Sequence, residues 1–497
     1  MKRSTVHDLI FVLFALGSII SPALAADYDI VIHGGRVIDP ASGRDEIADV
    51  GISGQSITAI STSPLQGKRM LDAEGLVIAP GFVDLHAHGQ NPEAQMLQIQ
   101  DGVTTALDME AGALPIRAMF DALSGRAMIN FGATASNTCA RLKVVANLSC
   151  HGHWAINEPQ DGTSAQHVAA QNTPTTPEQE QRIVRMLNDE IANGALGYGL
   201  LTGYVPASGR RKVYEIFKAA ASTRYPVFIH VRARPDVDVG PGTSIATNQE
   251  VIADAAATDA PVQIVHLPST GAADTAVILE MIKGSRKNGA DITTEVYPYN
   301  GWSNALGDAI FRPGWQQKYG ITYSDLQLPE TGERMTEDSF NRMRDEHPEA
   351  VVIGFSTPQA AVDAAIMDPT VMIASDGLDD RSHPRGAGTF SRVLGHYVRD
   401  KGLDLKLALA KMTIMPARRL EAISEQMARK GRLQVGADAD ITVFDPVAIK
   451  DMATYQKPMQ PSVGIRYVIV TGVPTLVDSK VVPDLFPGQA VRSTKPL

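Results

Sequence analysis

The spacing of hydrophobic and polar positions divides the chain into a central part and two similar ends. From residue 26 to 76, segments such as DYDIVIHGGRVIDP and DVGISGQSITAIS alternate apolar and polar residues between Gly-Gly, Asp-Pro and Ser-Gly breaks. This alternation predicts short antiparallel strands. It returns from about residue 430, in GRLQVGADADITVFDP and VGIRYVIVTGVPTLVDSKVV. Because neither end has enough strands to bury a face alone, we predict that residues 26–76 and 430–497 together build one small, discontinuous β-sandwich.

Between these ends, over residues 77–429, short continuous apolar runs alternate with longer segments of helical spacing. Eight such runs are VIAPGFVDLHAH, GVTTALDME, MINFGATAS, GALGYGLL, YPVFIHVRA, PVQIVHLPS, ADITTEVYPY and TVMIASDG. Strands that alternate with helices form parallel sheets, and eight strands match a closed (β/α)8 barrel better than an open sheet. The predicted fold class is therefore α/β, a TIM-like barrel beside the sandwich. Residues 307–350 are too many for a plain connection and are expected to form an inserted helical lid.

The first 25 residues follow a different pattern. A Lys-Arg pair, Lys2 and Arg3, precedes an apolar run over residues 9–20, and Ala-Leu-Ala at 23–25 offers small residues at a cleavage site. These features are typical of a secretory signal peptide, and the run is too short to span a bilayer comfortably. A buried N-terminal helix or a membrane anchor is the alternative. We expect a secreted or periplasmic protein with no membrane insertion after signal removal.

Charge and cysteine content narrow the range of partners. The chain has 45 Lys+Arg against 55 Asp+Glu, which gives a formal net charge of −10. An excess of negative charge makes nucleic acids and anionic membranes poor partners. The two cysteines, Cys139 and Cys150, are too few for a disulfide scaffold, but in an exported chain they either form one bridge or stay free. The sequence makes no prediction of the oligomeric state.

Two histidines close the first predicted barrel strand, in FVDLHAHG. His86 and His88 are two residues apart, so on a strand they point to the same side. The H-x-H spacing alone is a weak signal for metal binding. His151 and His153 repeat it in CHGHWAINEP, where no apolar run precedes them, and we interpret that second pair as loop residues.

The first pair stands out because metal-competent side chains also end other predicted strands. They are Glu110 after ALDM, His230 after PVFI, His266 after VQIV and Asp376 after VMIAS. The C-terminal ends of barrel strands face the catalytic mouth. Imidazole and carboxylate groups bind zinc and similar divalent ions. One such residue is usually a satisfied core group, but their recurrence at five strand ends predicts a metal centre.

Several longer segments occur in one order along the chain: GFVDLHAH, LTGYVP, IHVRA, IVHLPS, EVYPYN, ASDGLDDRSHPRGAGTF, KMTIMPARRL and GRLQVGADADITVFDP. Together they resemble the amidohydrolase superfamily and, within it, the N-acyl-D-amino-acid deacylases, or D-aminoacylases. The resemblance covers essentially the whole chain after residue 25. It implies a barrel flanked by a small β-sandwich, with His86 and His88 on one divalent metal and His230 and His266 on a second. It also implies that Asp376 is the general base.

One departure from that family concerns the residue that bridges the metals. The deacylases are expected to use a cysteine after the second strand, whereas many other superfamily members use a carboxylated lysine on the fourth. In this chain neither cysteine follows GVTTALDM, and GALGYGLL has no lysine. Glu110 stands at or beside the cysteine position, and a carboxylate can give one oxygen to each of two ions. A salt-bridged rim residue is the alternative, and Asp108 is the competitor if the register shifts by one.

A second departure concerns substrate binding. In the deacylases the sixth-strand histidine is expected to be followed, two residues on, by a lysine that pairs with the substrate carboxylate, and here Pro268 takes that place. Recognition of a free carboxylate would then require Arg232, two residues beyond His230. Arg232 as a structural ion-pair partner is the alternative.

Three further residues are candidates for substrate contact. His383 follows Asp376 in the Gly-rich HPRG segment, where it could stabilise an oxyanion or touch substrate, with a surface histidine as the alternative. Tyr204 and Tyr297 lie in segments that resemble the substrate-facing loops of the family, although buried tyrosines with one hydrogen bond are common.

These features predict a metal-dependent hydrolase that cleaves the amide bond of N-acyl-D-amino acids or related small N-acyl compounds or dipeptides. One or two divalent ions per chain, with zinc as the first candidate, would lower the pKa of a bound water. Asp376 would take its proton and return it to the leaving amine, unless it is only a structural ligand. A cyclic-amide or lactone hydrolase of the same superfamily is the alternative, and a non-catalytic metal-containing binding protein is a third interpretation.

Overall fold

The computed structural model describes residues 27–152, 161, 163–205, 207–232, 243–377 and 382–496. The predicted signal peptide lies outside the described residues, as does His153. Among the described helices, none is both long and apolar enough to cross a membrane.

The chain begins with five strands of a β domain. They are β1 (Tyr28–Asp39), β2 (Arg44–Ser53), β3 (Ser56–Ser61), β4 (Gly67–Asp72) and β5 (Val77–Pro80). The sheet branches at β1, because the first half of β1 pairs with β4 and its second half pairs with β5. The alternating apolar residues of these strands face a common core, as the alternation predicts.

The barrel follows with strands and helices in alternation. Its first seven strands are β6 (Phe82–Asp84), β7 (Val103–Ala113), β8 (Asn130–Ser136), β9 (Tyr198–Leu201), β10 (Val227–His230), β11 (Val262–Ile264) and β12 (Ile292–Val296). The helices of this part are α1 (Pro92–Gln100), α2 (Ile116–Leu123), α3 (Asn137–Ala146), α4 (Ser164–Asn172), α5 (Pro177–Ala192), α6 (Arg210–Thr223), α7 (Thr243–Thr258), α8 (Leu267–Gly271) and α9 (Thr275–Lys287). Each of the eight predicted runs contributes one barrel strand, and neighbouring strands pair in parallel.

The predicted start of the barrel at residue 77 needs correction. Val77–Pro80 is strand β5 of the β domain, and the barrel begins only at Phe82. Gly81 separates the two strands at a crowded point, where a Cβ atom would lie 2.2 Å from the Thr104 hydroxyl. One apolar run thus serves two sheets, which its hydrophobicity alone does not reveal.

The long segment after β12 is a small domain of mixed structure. It contains β13 (Trp302–Ala305), α10 (Trp315–Tyr319), β14 (Leu326–Gln327), α11 (Glu337–Glu346) and β15 (Val351–Gly354), and the three strands form an antiparallel sheet. The expected helical lid is therefore wrong in its secondary structure. Aromatic side chains such as Trp302, Phe311, Trp315 and Phe340 pack between the strands and the short helices, which are too small to bury that surface on their own.

The last barrel strand, β16 (Met372–Ile373), pairs with β12. The helices on either side of it in the chain are α12 (Gln359–Met367), α13 (Arg385–Arg392), α14 (Leu405–Met412) and α15 (Ile414–Glu421). The ring closes just beyond β16, where Ala87 forms a parallel bridge with Gly377 and the amide of His88 donates to the Gly377 carbonyl at 2.8 Å. The predicted TIM-like barrel is confirmed.

Four C-terminal strands complete the β domain: β17 (Ile441–Phe444), β18 (Ile465–Val470), β19 (Val473–Val477) and β20 (Lys480–Val481). Strand β17 pairs with β5, so strands from both ends of the chain join in one continuous nine-stranded sheet. Away from this sheet, Cys139 at the start of α3 forms a disulfide with Cys150, with their Cα atoms 5.0 Å apart.

A buried ion-pair network joins the β domain to the barrel. The Lys430 ammonium lies 2.6 Å from the Asp440 carboxylate and 3.0 Å from that of Asp438. Asp440 also accepts hydrogen bonds from the side chain of Asn130 on β8 and from the amide of Thr471. Because Lys430 and Asp440 are both 3% exposed, water does not solvate either charge, and each depends on its partner for stabilisation.

We expect Lys430→Met to lower the free energy of unfolding by about 3–5 kcal/mol, since it leaves the Asp440 carboxylate buried without a cation. Urea unfolding followed by fluorescence would measure the loss. Lys401→Met is the matched control, because Lys401 pairs with Asp363 at 2.6 Å but at a third of full exposure. An exposed pair contributes at most about 1 kcal/mol. Equal losses in the two variants would contradict the assignment.

Candidate metal centre and active site

The six side chains predicted as metal ligands meet at the C-terminal ends of the barrel strands. Parallel strands bring their carboxyl ends to one face of the barrel, so residues far apart in sequence become neighbours there. They form two groups that share one carboxylate: His86, His88, Glu110 and Asp376 in the first, and Glu110, His230 and His266 in the second.

Glu110, on β7, lies between the two pairs of histidines. Its Oε2 atom is 3.3 Å from Nε2 of both His86 and His88. Its Oε1 atom is 2.9 Å from Nδ1 of His230 and 3.0 Å from Nε2 of His266. Burial favours the neutral acid, but the neighbouring imidazoles, His86 foremost, outweigh it and hold the pKa of Glu110 well below its usual value. One oxygen therefore faces each pair.

Asp376 follows β16 and completes the first group. Its Oδ1 atom is 3.3 Å from Nε2 of His86 and 3.6 Å from Nε2 of His88, and its Oδ2 atom is 2.7 Å from Nη1 of Arg385. Burial opposes ionisation, but the charges of Arg385 and His86 outweigh it and lower the pKa of Asp376. The residue has φ of 51°, a left-handed conformation that is uncommon for non-glycine residues.

A buried carboxylate fixes the orientation of His86. The Nδ1 atom of His86 lies 2.6 Å from Oε1 of Glu295 on β12, and Oε2 of Glu295 accepts a hydrogen bond from Gln263 on β11. A carboxylate on Nδ1 holds the proton there, so Nε2 presents its lone pair to the site. The sequence patterns above do not single out Glu295, although an acid inside an apolar strand run is a signal that could have found it.

Two other histidines also have a polar partner on Nδ1, a carboxylate in one case and a hydroxyl in the other. Nδ1 of His88 is 3.1 Å from Oδ1 of Asp108, which also accepts two backbone amides, and Nδ1 of His266 is 2.8 Å from the Ser269 hydroxyl. The structure thus gives Asp108 and Glu110 different places, although both point inwards from β7. Asp108 contacts one imidazole, at the nitrogen that faces away from the site. Glu110 contacts four imidazoles, at the nitrogens that face into the site.

The nitrogen and oxygen atoms of these side chains are suitable ligands for a divalent metal of intermediate softness, such as zinc. Imidazole nitrogens and carboxylate oxygens are the ligands that zinc and its neighbours take in catalytic sites. In such sites the histidine nitrogen that does not bind the metal usually makes a hydrogen bond. This bond raises the basicity of the ligand and fixes its tautomer. His86 and His88 with Asp376 would hold one ion, His230 and His266 a second, and Glu110 would give an oxygen to each.

A cavity of about 550 Å³ opens directly onto these residues. Tyr204 and Tyr297 line it, and the ring of Tyr204 lies 4.8 Å from that of His230. The inserted domain supplies another part of the wall, including Trp302 and Asn304, and the Asn304 amide donates to the Tyr204 hydroxyl at 2.9 Å. The insertion therefore takes part in the site.

Among the described residues, the cationic side chains that line this cavity are Arg232 and Arg385. Both are paired: Arg232 makes two hydrogen bonds to the carboxylate of Glu250, at 3.1 and 2.8 Å, and Arg385 holds Asp376. Arg385 also stacks on the ring of Tyr297 at 4.9 Å. Arg385 is part of the HPRG segment, but the sequence alone predicts no role for it. Its partner, Asp376, follows strand β16, whereas Arg385 begins helix α13.

The side chain of His383, predicted to contact substrate or an oxyanion, does not line the cavity. Its Nε2 atom donates to the Gly301 carbonyl at 2.9 Å, and its Nδ1 atom accepts the amide of Arg385 at 3.1 Å. Burial, helped by the charge of Arg385, lowers the pKa of His383 well below its usual value. A neutral imidazole in these two bonds orders the segment that carries Arg385. His151, the described member of the second H-x-H pair, lies in a loop, as predicted.

Comparison with known proteins agrees with this site. The chain matches the model of the amidohydrolase family over residues 69–476. It is 30% identical to an N-acyl-D-glutamate deacylase of Alcaligenes xylosoxydans xylosoxydans, with 93% of this chain and 96% of that protein covered. It is 29% identical to a D-aminoacylase of the same organism, with 90% and 94% covered.

A solved structure with the same fold is the N-acyl-D-glutamate deacylase of Bordetella bronchiseptica, complexed with zinc and a phosphonate inhibitor that mimics the tetrahedral intermediate. The TM-score is 0.77 at 27% identity, with 94% of this chain and 100% of that chain covered. The resemblance drawn from the sequence segments is confirmed, and this chain belongs to the amidohydrolase family.

Proposed function

We propose that this protein is a metal-dependent hydrolase of the amide bond in N-acyl-D-amino acids or related small N-acyl compounds or dipeptides. The observation that carries the proposal is the position of Glu110, with one oxygen towards each pair of histidines and Asp376 beside the first pair. The relatives named as deacylases of N-acyl-D-glutamate and as D-aminoacylase support the substrate class. A cavity of about 550 Å³ has room for a small N-acyl compound.

A divalent metal in this site supplies Lewis acidity, which polarises the amide carbonyl and lowers the pKa of a water ligand. The chain's own residues do the rest. Asp376 presents an ionised Oδ1 atom at the cavity and accepts the proton of the attacking water. It then returns this proton to the leaving amine, which would otherwise depart as an unstable anion. Arg385 fixes Oδ2, so Oδ1 is the atom that exchanges the proton.

The test is hydrolysis of a panel of N-acyl-D- and N-acyl-L-amino acids by purified protein loaded with zinc, followed by release of the free amine. We expect turnover of D-configured members that is lost when a chelator removes the metal. A loaded protein that hydrolyses no member of either series would contradict the proposal.

One observation favours a cyclic-amide or lactone hydrolase as the second candidate. Pro268 replaces the lysine expected for a substrate carboxylate, and both described cavity arginines already have carboxylate partners. A cyclic substrate has no free carboxylate to neutralise. The two candidates therefore differ in whether Arg232 helps to bind a negative charge.

If the substrate carries a free carboxylate, Arg232→Ala should raise KM about 10- to 100-fold, the effect of losing one charged hydrogen bond. Substrates whose carboxylate is capped as an amide should lose much less. Arg210→Ala is the matched control, because Arg210 also pairs with Glu250 at 3.3 Å but is 71% exposed. Equal effects on free and capped substrates would favour the cyclic-amide or lactone hydrolase.

We also propose that the protein is exported. The leader-like first 25 residues support this, and so does the disulfide between Cys139 and Cys150, since disulfides persist in oxidising compartments. Expression of the full chain in a Gram-negative host should yield periplasmic protein whose intact mass corresponds to a start at Ala26. Full-length protein retained in the cytoplasm would contradict export.

A further inference from the structure

A second cavity, of about 460 Å³, lies at the opposite end of the barrel from the proposed active site. Its wall includes residues one or two positions before four neighbouring strands: Pro226 before β10, Pro261 before β11, Asp291 before β12 and Thr370 before β16. The proposed metal ligands lie at the other end, where the barrel strands end. A ligand in this second cavity would therefore be separated from the catalytic face by the length of the barrel core.

The second cavity is strongly cationic. In the part of the chain that the structure describes, one acidic residue, Asp291, lines it together with five basic ones: Arg224, Arg286, Arg418, Arg419 and Lys495. Arg224 is already paired, at 2.9 Å from the Asp259 carboxylate. The five basic residues come from the end of α6, the last turn of α9, helix α15 and the C-terminal segment. Such a concentration of positive charge is unexpected in a chain with a formal net charge of −10. We call this site the basic cavity.

Arg419 is the buried member of the basic cavity. Its side chain is 6% exposed, and Nη1 donates to Oδ1 of Asp291 at 2.6 Å. Its Nε and Nη2 atoms are buried, and no described residue accepts a hydrogen bond from either. Burial lowers the pKa of Arg419, and the charges of Arg286 and Arg224 add to this effect, although the Asp291 carboxylate opposes it. Asp291 compensates the charge of this guanidinium, but its two buried donors lack an acceptor, and a buried donor without an acceptor is costly.

We propose that the basic cavity binds a small oxyanion with at least two negative charges, of the phosphate or polycarboxylate class. Arg419 lines the basic cavity, and its unpaired Nε and Nη2 atoms form the edge of a guanidinium that matches two oxygens of a phosphate or a carboxylate once the side chain turns this edge to the ligand. Arg286 and Arg418, which are exposed, can turn their side chains to further oxygens, and Lys495 is half-buried beside them. The ligand would link α9, α15 and the C-terminal segment at the base of the barrel.

The test uses the zinc-loaded protein and measures Tm in phosphate, in citrate and in chloride at equal ionic strength. At about a hundredfold excess over Kd, a bound anion should raise Tm by about 2–3 °C in a protein of this size. The double variant Arg286→Gln/Arg418→Gln should fold normally, since both side chains are exposed, and should lose this rise. Arg182→Gln, at an exposed arginine of α5, is the matched control and should keep it.

A second variant, Arg419→Met, should also lose the rise, while its Tm in chloride stays equal to that of the parent or exceeds it. A rise in phosphate alone would assign a phosphate ligand, and a rise in citrate alone would assign a polycarboxylate. No rise in either anion, or a rise that the double variant retains, would overturn the proposal. Hydrolytic turnover of the double variant should be unchanged, because its residues lie at the other end of the barrel.

Discussion

Asp376→Asn is expected to lower kcat for an N-acyl-D-amino acid by about 10²- to 10⁴-fold, the contribution typical of a positioned acid–base group. The amide of asparagine has nearly the same shape as the carboxyl group, but it cannot accept the proton of the attacking water. The carboxylate is also the partner of the buried Arg385, so Tm is measured with kcat to separate lost chemistry from lost stability.

Asp308→Asn is the matched control for this variant. Asp308 also lines the active-site cavity, but its carboxylate accepts hydrogen bonds from Asn304 and from the amide of Ala305, away from the histidines. We expect less than a tenfold change there. If Asp376→Asn retained full turnover, the general-base role would be wrong. If the parent bound N-acyl compounds without turnover, the chain would be a metal-containing binding protein.

Glu110→Gln should reduce the metal content from about two ions per chain to one or none, because a neutral amide cannot give a charged oxygen to each site. Turnover should fall by at least about 100-fold, as expected when a metal ligand rather than its outer partner is lost. Elemental analysis of dialysed protein measures the first effect, and amine release measures the second.

Asp108→Asn separates the two carboxylates of β7. Asp108 contacts the nitrogen of His88 that faces away from the metal site, so its loss should weaken metal binding by about 10- to 100-fold without changing the number of ions at saturation. An unchanged metal content in Glu110→Gln would instead make Glu110 a rim residue of the cavity.

The sequence predicts the position of a residue best where that position depends only on the strand that carries the residue. All eight barrel strands coincide with apolar runs, and the candidate ligands that end those runs converge, because parallel strands share the direction of their carboxyl ends. The two-residue spacing of His86 and His88 is sufficient to place both side chains on the same side of their strand. Glu110 and Asp108 cannot be ranked by spacing, since both point inwards and only the depth along β7 separates them.

The sequence is least informative where a residue's role depends on a partner from elsewhere in the chain. Arg385 on α13 matters because it contacts Asp376, which follows β16, and Glu295 matters because it contacts His86 across the barrel. The motif alone suggests a catalytic role for His383, but backbone partners take both of its nitrogens. Neither type of pairing leaves a periodic signature in the sequence.

The barrel's closing contact has a consequence for the integrity of the enzyme. The ends of the ring meet at Ala87 and Gly377, and the proposed reacting groups stand on both sides of that junction, with His86 and His88 flanking Ala87 and Asp376 preceding Gly377. Opening the ring at this contact would separate His86 and His88 from Asp376. Hydrolytic activity therefore requires a closed barrel, and a chain whose barrel is open at this contact is expected to be inactive.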